Sequence, residues 1–276
     1  MEFGFLFWFF LIGLIVASLQ DLKRREVDNW LNLFLIFGGL AFIFYKAILS
    51  GELSLIFQAG FMVVMLFIFM NLFYYGRVFA GGDAKLLFAL TAFFVGSTFF
   101  ITLANLGVFL LLLMLAGSVY GLSFSVFLYF KSYKEVNKKM KEVFSLRVIR
   151  GVFFGGVFVS ILGFIYWGFL FIGVFAVAFS LLYVFAKGLE LVSMTRWVSG
   201  KELREGDWLA EDAHAGEKVI PATWDGLTLK ELKILSKQKK VKIKEGIPFV
   251  PSFLIAFLMY ALLRDLIFSF VMNAVR

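Results

Sequence analysis

Gly81-Gly82-Asp83-Ala84-Lys85 is the stretch around which the chain is organised. It lies between two long apolar runs, residues 55–75 and 86–103. Because glycine has no side chain, Gly81 and Gly82 let the backbone take positive φ angles and approach a neighbouring segment closely. Asp83 follows at the mouth of the second run. A carboxylate at that depth is unfavourable without a partner, which makes Asp83 a candidate functional group.

The composition of the chain identifies an integral membrane protein. Hydrophobic residues make up 62% of the 276 residues, and 39 of them are phenylalanine. The mean hydropathy is +0.92. An ordinary soluble domain is only about 45–50% apolar. One soluble core could not bury this excess, so the lipid bilayer is the expected environment.

The counts of cysteine and histidine exclude several kinds of site. The chain has no cysteine and a single histidine, His214. It therefore lacks a thiolate zinc site, a cysteine nucleophile and any multi-histidine metal site. We expect no metal and no cofactor, and the sequence gives no reason to expect nucleic acid as a partner.

About 20 apolar residues are needed to cross the hydrocarbon core. On this criterion the chain contains eight predicted membrane helices, with six or seven possible if a hairpin is miscounted. Residues 3–19 are expected to be a retained first helix, followed by single spans at 31–49, 55–75 and, at the end of the chain, 249–271. Two hairpins are predicted between them, at 86–130 with a turn near Asn105 and at 152–186 with a turn at 163–168.

Basic residues mark the cytoplasmic loops of membrane proteins. They occur in residues 22–29, at Arg77 and Lys85, and seven times in residues 131–150. This distribution places all three segments in the cytoplasm and both termini outside. Residues 131–150 are predicted to be either an amphipathic helix on the membrane surface or a solvated linker.

Residues 187–246 form the one extended polar segment, with nearly half of all charged residues. Polar and apolar residues alternate at 217–220 and 240–244, which predicts short strands. Thr228 with Glu231 is a capping-box pattern that predicts a helix to about Gln238, and Asp225-Gly226 predicts a turn. We therefore predict an all-α polytopic membrane protein with a cytoplasmic α+β insert, divided into a bundle (1–186), the insert (187–246) and a last helix (247–276).

Asp21 and Asp83 are the two acids that this topology places at the cytoplasmic membrane boundary. Two neighbouring carboxylates do not both ionise readily, so the pair titrates as one unit. As in aspartic proteases, one carboxylate can then take a proton from water while the other donates to a carbonyl oxygen. Taken singly, Asp21 could be a boundary charge at a helix end, and Asp83 could be a helix N-cap.

A family resemblance joins these features. Gly81-Gly82-Asp83-Ala84-Lys85 resembles the Gly-x-Gly-Asp-x-Lys motif of type IV prepilin peptidases and archaeal preflagellin peptidases. Asp21, with the basic stretch after it and Asn29-Trp30, is similar to the surroundings of their other aspartate. Residues 246–251, Gly-Ile-Pro-Phe-Val-Pro, resemble a segment near their C-terminal end. The match departs at Ala80, where the family has its first glycine.

The resemblance implies that Asp21 and Asp83 are the catalytic pair. Gly81 and Gly82 would then shape the loop, and Lys85 would contact substrate or lipid, unless it is only a boundary lysine whose ammonium reaches the interface. Pro248 and Pro251 would pack beside the site, although starting a helix is a sufficient reason for them.

The same resemblance implies an aspartic endopeptidase in the plasma membrane. Its substrates would be pilin-like or archaellin-like precursors with a basic leader and an apolar segment, cut at the cytoplasmic face. Bacterial members often carry a four-cysteine module and also methylate their product, so the absence of cysteine suggests the archaeal branch and peptidase activity only. The alternative from another class is a proton- or ion-coupled transporter that uses the same acids.

Overall fold

The computed structural model describes residues 4–76, 79–215, 218–223 and 226–274. The predictions that fall on Arg77, on Glu217 and on Asp225 lie outside the described residues. Ten α-helices and five short strands are present in the described part. The helices are α1 Phe5–Arg24, α2 Asn29–Ser50, α3 Ser54–Tyr75, α4 Gly81–Ala89, α5 Phe99–Lys131, α6 Tyr133–Phe144, α7 Arg147–Ile161, α8 Trp167–Val192, α9 Leu229–Leu235 and α10 Val250–Ala274.

Seven helices of the described part are long and apolar enough to cross a membrane: α1, α2, α3, α5, α7 with the 3-10 helix Leu162–Phe164 that continues it, α8 and α10. Their lipid-facing positions are apolar as well, since large side chains such as Phe37, Phe57 and Phe175 are exposed. The predicted multi-pass helical membrane protein is thus confirmed. The hairpin at 152–186 is also confirmed, because α7 and α8 are separated at Ile165 and Tyr166.

The fourth predicted span is not a regular helix. In its place α4 has only nine residues and is followed by the 3-10 helix Thr91–Phe94 and a short extended segment. The predicted turn near Asn105 is wrong, because Asn105 lies within α5 and the chain turns before Phe99. Asn105 was taken for a turn residue because it is polar, but its side chain is buried and donates to the Phe94 carbonyl (3.1 Å).

The polar residues that do form this turn are held by buried hydrogen bonds. The Gln58 amide of α3 donates to the Ser97 carbonyl (3.0 Å). Thr102 Oγ1 donates to Gln58 Oε1 (2.7 Å) and accepts from the Gly96 N–H (2.9 Å). At the other end, a Cβ added at Gly81 would lie 3.4 Å from Tyr74, near the C-terminus of α3. Residues 81–97 therefore run beside α3 along most of its length.

Helix α2 packs closely against this broken segment at Gly39. A Cβ added there would lie 2.8 Å from the Ala92 Cβ and 2.8 Å from Phe10 of α1. Real Cβ atoms almost never come so close, and the Ala92 Cβ cannot rotate away. Gly39 thus permits the close approach of three elements in the bundle.

The strands lie in the polar segment before α10. Strands β1 Thr195–Val198 and β2 Trp208–Leu209 both pair antiparallel with β5 Val241–Lys244, while β3 Ala213–Ala215 pairs with β4 Lys218–Ile220. The capping box of Thr228 and Glu231 opens α9 as predicted, although α9 ends at Leu235. Apolar side chains from these elements form a separate small core.

The chain divides into two compact units, Met1–Leu122 with Pro248–Arg276 and Ser123–Ile247. In the first unit the last helix, α10, packs with the helices of the N-terminal part, as in the stacked pair Phe7 and Phe257. In the second unit the apolar face of α6 packs against α8, where Met140 contacts Gly188. Residues 131–150 are thus largely helical and not a bare linker. The domain limits 186 and 246 stay a prediction.

Gly39→Ala is expected to destabilise the fold, because the new methyl group overlaps the Ala92 Cβ and overpacking typically costs about 1–3 kcal/mol. Gly60→Ala in α3 is the matched control, because a Cβ there has no neighbouring atom within 4 Å. Thermal unfolding in detergent should give a lower Tm for Gly39→Ala and an equal or higher Tm for Gly60→Ala. Equal Tm values for the two variants would contradict the close packing at Gly39.

Candidate active site

Asp21 lies in the last turn of α1 and is buried, with 6% of its surface exposed. The helix ends one turn later because Arg25 adopts a left-handed conformation (φ 58°) and its N–H bonds the Asp21 carbonyl at 2.8 Å. The Asp21 side chain accepts a hydrogen bond at Oδ2 from the Val250 N–H (2.9 Å). Asp21 is therefore more than a boundary charge, since it joins the first helix to the last.

Val250 is the first residue of α10. The first N–H groups of a helix have no partner within it, and the helix dipole makes this end favourable for an anion. Asp21 supplies the missing acceptor from a distant part of the sequence. Pro251 follows as the second helical residue, where proline is tolerated because its missing N–H would have had no partner in the helix. Pro248 and Pro251 thus flank the contact with Asp21, and both have a structural reason to be there.

Asp83 is the third residue of α4, and the N-cap is Ala80. The alternative that Asp83 is itself an N-cap is therefore wrong. Its carboxylate instead accepts a hydrogen bond from the backbone of Ala80, as the acid of a capping box does. Gly81 and Gly82 do not use the positive φ angles that glycine permits, because both residues are helical.

Asp83 and Asp21 interact through their charges. Burial of Asp83, and secondarily the negative charge of Asp21, raise the pKa of Asp83 from an ordinary 3.8 to about 7. The hydrogen bond from Ala80 opposes this shift but does not cancel it. The fold therefore brings the two acids that the sequence analysis paired close enough for their charges to interact.

The loop between α1 and α2 lies beside the start of α4. A Cβ added at Gly82 would lie 3.8 Å from the Val27 N, which is an ordinary contact distance. Lys85 Nζ donates to Asn29 Oδ1 at 2.9 Å. This bond gives Lys85 a partner within the protein, so it is not only a lysine that reaches toward the interface.

Asp28 fixes the shape of this loop. Its Oδ2 accepts hydrogen bonds from Gln20 (3.1 Å), Arg24 (2.7 Å) and Trp30 (3.1 Å). Its own N–H donates to Gln20 Oε1 (3.0 Å). The residue before Asp21 is thereby tied to the start of α2, which limits how far the Asp21 end of α1 can move.

Two polar residues near the aspartates were missed in the sequence. The charges of Asp21 and Arg25 act on the phenol of Tyr120, in α5. One turn earlier, Gly117 contacts Phe249, next to the residue that bonds Asp21. The second is Asn32, a buried residue in the first turns of α2. Neither belongs to a local motif, so their neighbourhood becomes visible only in the folded chain.

The arrangement offers acid–base groups and no metal-binding cluster in the part that the structure describes. Asp21 and Asp83 differ in their surroundings, because the Val250 N–H of another helix bonds Asp21, whereas burial and the charge of Asp21 raise the pKa of Asp83. Such an asymmetric pair can accept a proton at one oxygen and donate one at another.

Comparison with known proteins identifies the relatives of this part of the chain. Residues 8–129, which include both aspartates, match the type IV leader peptidase family. The resemblance noted in the sequence is thereby confirmed over these residues.

Two archaeal proteins are similar to the chain over a limited range. The preflagellin peptidase of Methanococcus maripaludis is 32% identical over 81 residues, which are 29% of this chain and 35% of the relative. The preflagellin peptidase of Methanocaldococcus jannaschii is 32% identical over 83 residues, which are 29% of this chain and 34% of the relative. The chain therefore spans about a third of the length of these relatives. No solved structure matches the chain.

Replacing Asp21 separates its structural contact from its charge. Asp21→Leu removes the acceptor and leaves the buried Val250 N–H without a partner, which is expected to cost about 1–3 kcal/mol. Asp21→Asn keeps a carbonyl oxygen in the same place. Thermal unfolding in detergent should therefore show a clear loss of Tm for Asp21→Leu and a small change for Asp21→Asn. Similar losses for both would mean that the negative charge, not the acceptor, stabilises α10.

Proposed function

We propose that the protein is a membrane aspartic endopeptidase that removes leader peptides from preflagellin-like precursors. The observation that carries the proposal is the coupling of Asp21 and Asp83 within the residues that match the type IV leader peptidase family. The two similar proteins are both preflagellin peptidases, and this activity supplies the substrate class.

Each aspartate has a distinct role in this proposal. Asp21 is the base, because the Val250 N–H and the start of α10 favour a negative charge on it. Asp83 is the acid, because burial keeps its proton near neutral pH. Asp21 takes a proton from water, the water oxygen bonds to the scissile carbonyl carbon, and Asp83 gives its proton to the carbonyl oxygen. Collapse of the tetrahedral intermediate then breaks the C–N bond: one hydroxyl of the intermediate returns its proton to Asp83 as the C=O re-forms, and the amine leaves with the proton that Asp21 had taken.

The surroundings of Asp83 suit the approach of a peptide main chain. Among the described residues, no side chain lies within 4 Å of the Cβ position of Gly82, whose nearest neighbour is the Val27 N. Gly82 would thus serve the reaction by leaving the α4 backbone uncovered, while Gly81 would shape the loop by packing beside Tyr74. Lys85 would hold this first turn against α2 through Asn29. Pro248 and Pro251 would act indirectly, by starting the helix whose N–H binds Asp21.

The substrate is a precursor with a basic leader and an apolar segment. Asp21 precedes Lys23 and Arg24 in the last turn of α1, and basic residues at the end of a membrane helix favour the cytoplasmic side. The protein would lie in the plasma membrane. The basic leader of the precursor would remain in the cytoplasm, while its apolar segment would enter the bilayer beside Asp21 and Asp83. The activity is hydrolysis alone, without methylation. The comparisons give no support to the transport alternative.

The pair is tested by cleavage in detergent or in membranes of a synthetic precursor with a basic leader and an apolar segment. Asp21→Asn and Asp83→Asn should each lower the rate by at least about 1,000-fold, because a dyad that lacks one carboxyl cannot complete both proton transfers. Asp265→Asn is the matched control, since Asp265 is an exposed acid of α10 that pairs with Arg264. It should cut at the wild-type rate.

The outcomes separate the two function classes. Cutting by wild type and by Asp265→Asn, but by neither variant of the pair, is the result expected of a dyad. If both Asp21→Asn and Asp83→Asn still cut, the two acids are structural. If wild type cuts none of several precursors, the peptidase proposal is wrong, and proton or ion flux in liposomes becomes the next measurement.

The pH profile of cleavage should follow the proton on Asp83. Its raised pKa of about 7 means that the carboxyl is protonated below that pH and ionised above it. Since Asp83 acts as the acid, kcat/KM should fall as the pH rises through about 7, by about tenfold per unit at higher pH. Rates measured from pH 5 to 9 on a substrate without titrating groups provide the test. A rate that keeps rising above pH 7 would reverse the assignment of acid and base.

A further inference from the structure

Asn32 differs from the other buried amides of the membrane bundle. It is 6% exposed, and neither Nδ2 nor Oδ1 has a hydrogen-bond partner among the described residues. By contrast, Gln58 bonds Ser97 and Thr102, and Asn105 bonds Phe94 and Arg264. An unpaired amide in an apolar interior is unfavourable because folding removes its water without replacing it. Asn32 therefore needs an explanation.

Contacts on both sides of α2 locate Asn32 relative to the two aspartates. Toward α1, it lies between the Gln20–Asp28 bonds and the contact of Leu35 with Gly13. Toward the broken segment, it lies between the Asn29–Lys85 bond and the contact of Gly39 with Ala92. Asp21 follows Gln20, and Asp83 is two residues before Lys85. Asn32 is thus about one helical turn, or about 5.4 Å, deeper in the bundle than the pair.

A peptide group is the ligand whose chemistry fits this side chain. An amide has two N–H donors and one oxygen acceptor, so it can bond both the C=O and the N–H of an extended main chain. A precursor must be extended where it is cut, and its main-chain groups then lack the bonds of a helix. In an apolar surrounding these groups require partners from the protein.

We propose that Asn32 binds the main chain of the precursor on the apolar side of the scissile bond. This inference rests on the peptidase function proposed above. An extended chain advances about 3.3 Å per residue, so one helical turn corresponds to the first or second peptide group after the bond that is cut. Asn32 is a positioning residue: it holds the chain in register with Asp21 and Asp83 and takes no part in proton transfer.

Asn32→Leu tests this role, because leucine has a similar size and no polar atoms. We expect kcat/KM for the precursor to fall about 10- to 100-fold, the loss of one or two hydrogen bonds. Tm should stay equal or rise, because the substitution removes an unpaired buried amide. Asn71→Leu is the matched control: Asn71 is half-buried on α3 and, among the described residues, its side chain bonds the Phe67 carbonyl of its own helix. It should change neither quantity appreciably.

Two further measurements identify the bonded group. The inactive Asp83→Asn variant, which retains Asn32, should bind uncut precursor with a Kd about tenfold lower than the double variant with Asn32→Leu. In the active protein, a precursor with an ester in place of the first or second peptide bond after the cut has lost one N–H. Wild type should cut one of these two esters, the one whose missing N–H would have bonded Asn32, about tenfold more slowly than the all-amide precursor. The Asn32→Leu variant should cut that ester and the all-amide precursor at nearly the same rate.

Each contrary result has a definite meaning. If Asn32→Leu cuts the precursor at the wild-type rate, the inference is wrong and the peptidase function stands. If the ester and Asn32→Leu losses multiply independently, Asn32 does not contact these main-chain groups, and a role in holding water replaces the proposal. If the Tm of Asn32→Leu were well below that of Asn71→Leu, the role of Asn32 would be structural. A wild type that cuts no precursor overturns both proposals together.

Discussion

The hydrogen bond between the Val250 N–H and Asp21 is the contact on which the site depends. It satisfies a donor at the start of α10 and fixes a carboxylate at the end of α1. The two helices run antiparallel, since Phe7 near the start of α1 stacks on Phe257. Packing of α10 against α1 therefore fixes the position of the Asp21 carboxylate, and this carboxylate in turn accepts the hydrogen bond at the start of α10. Folding and the position of Asp21 are set by one interaction.

The second aspartate depends on a helix that stops early. If residues 81–97 were a regular helix, they would rise 1.5 Å per residue, whereas 3-10 and extended residues rise about 2.0 and 3.3 Å. The short α4 with its irregular continuation can therefore accompany α3 with fewer residues. Gln58 and Thr102 hold the far end of this segment, while Lys85 and Asn29 hold the near end. Asp83 lies in the first turn of α4, two residues before Lys85, whose bond to Asn29 holds this end of the segment against α2.

The features that the sequence predicted correctly depend on local residue patterns and on the positions of charged residues along the chain. Apolar length gave the membrane helices, the capping box gave the start of α9, and two acids at the ends of apolar runs gave the pair. The sequence analysis misplaced the turn at Asn105, because a polar residue in an apolar run can equally bond a distant carbonyl. The freedom of Gly81 and Gly82 to adopt positive φ is not used, because both residues lie in the first turn of α4. Tyr120 and Asn32 carry no signal, since their relation to Asp21 exists only between helices.

Unequal surroundings are what make two identical side chains chemically different. Asp21 receives a main-chain donor from the start of α10, whereas Asp83 receives one from Ala80 at the start of its own helix and is affected by the charge of Asp21. A symmetric pair would share its proton without preference, whereas the proposed mechanism requires Asp83 to be the preferred holder. Asn32 is an exception among the buried amides of the bundle. Gln58 and Asn105 both have hydrogen-bond partners, whereas Asn32 has none among the described residues. Unpaired buried polar groups reduce stability, and native proteins that depart from full pairing often do so at functional sites. The proposed main-chain contact gives that departure a physical reason.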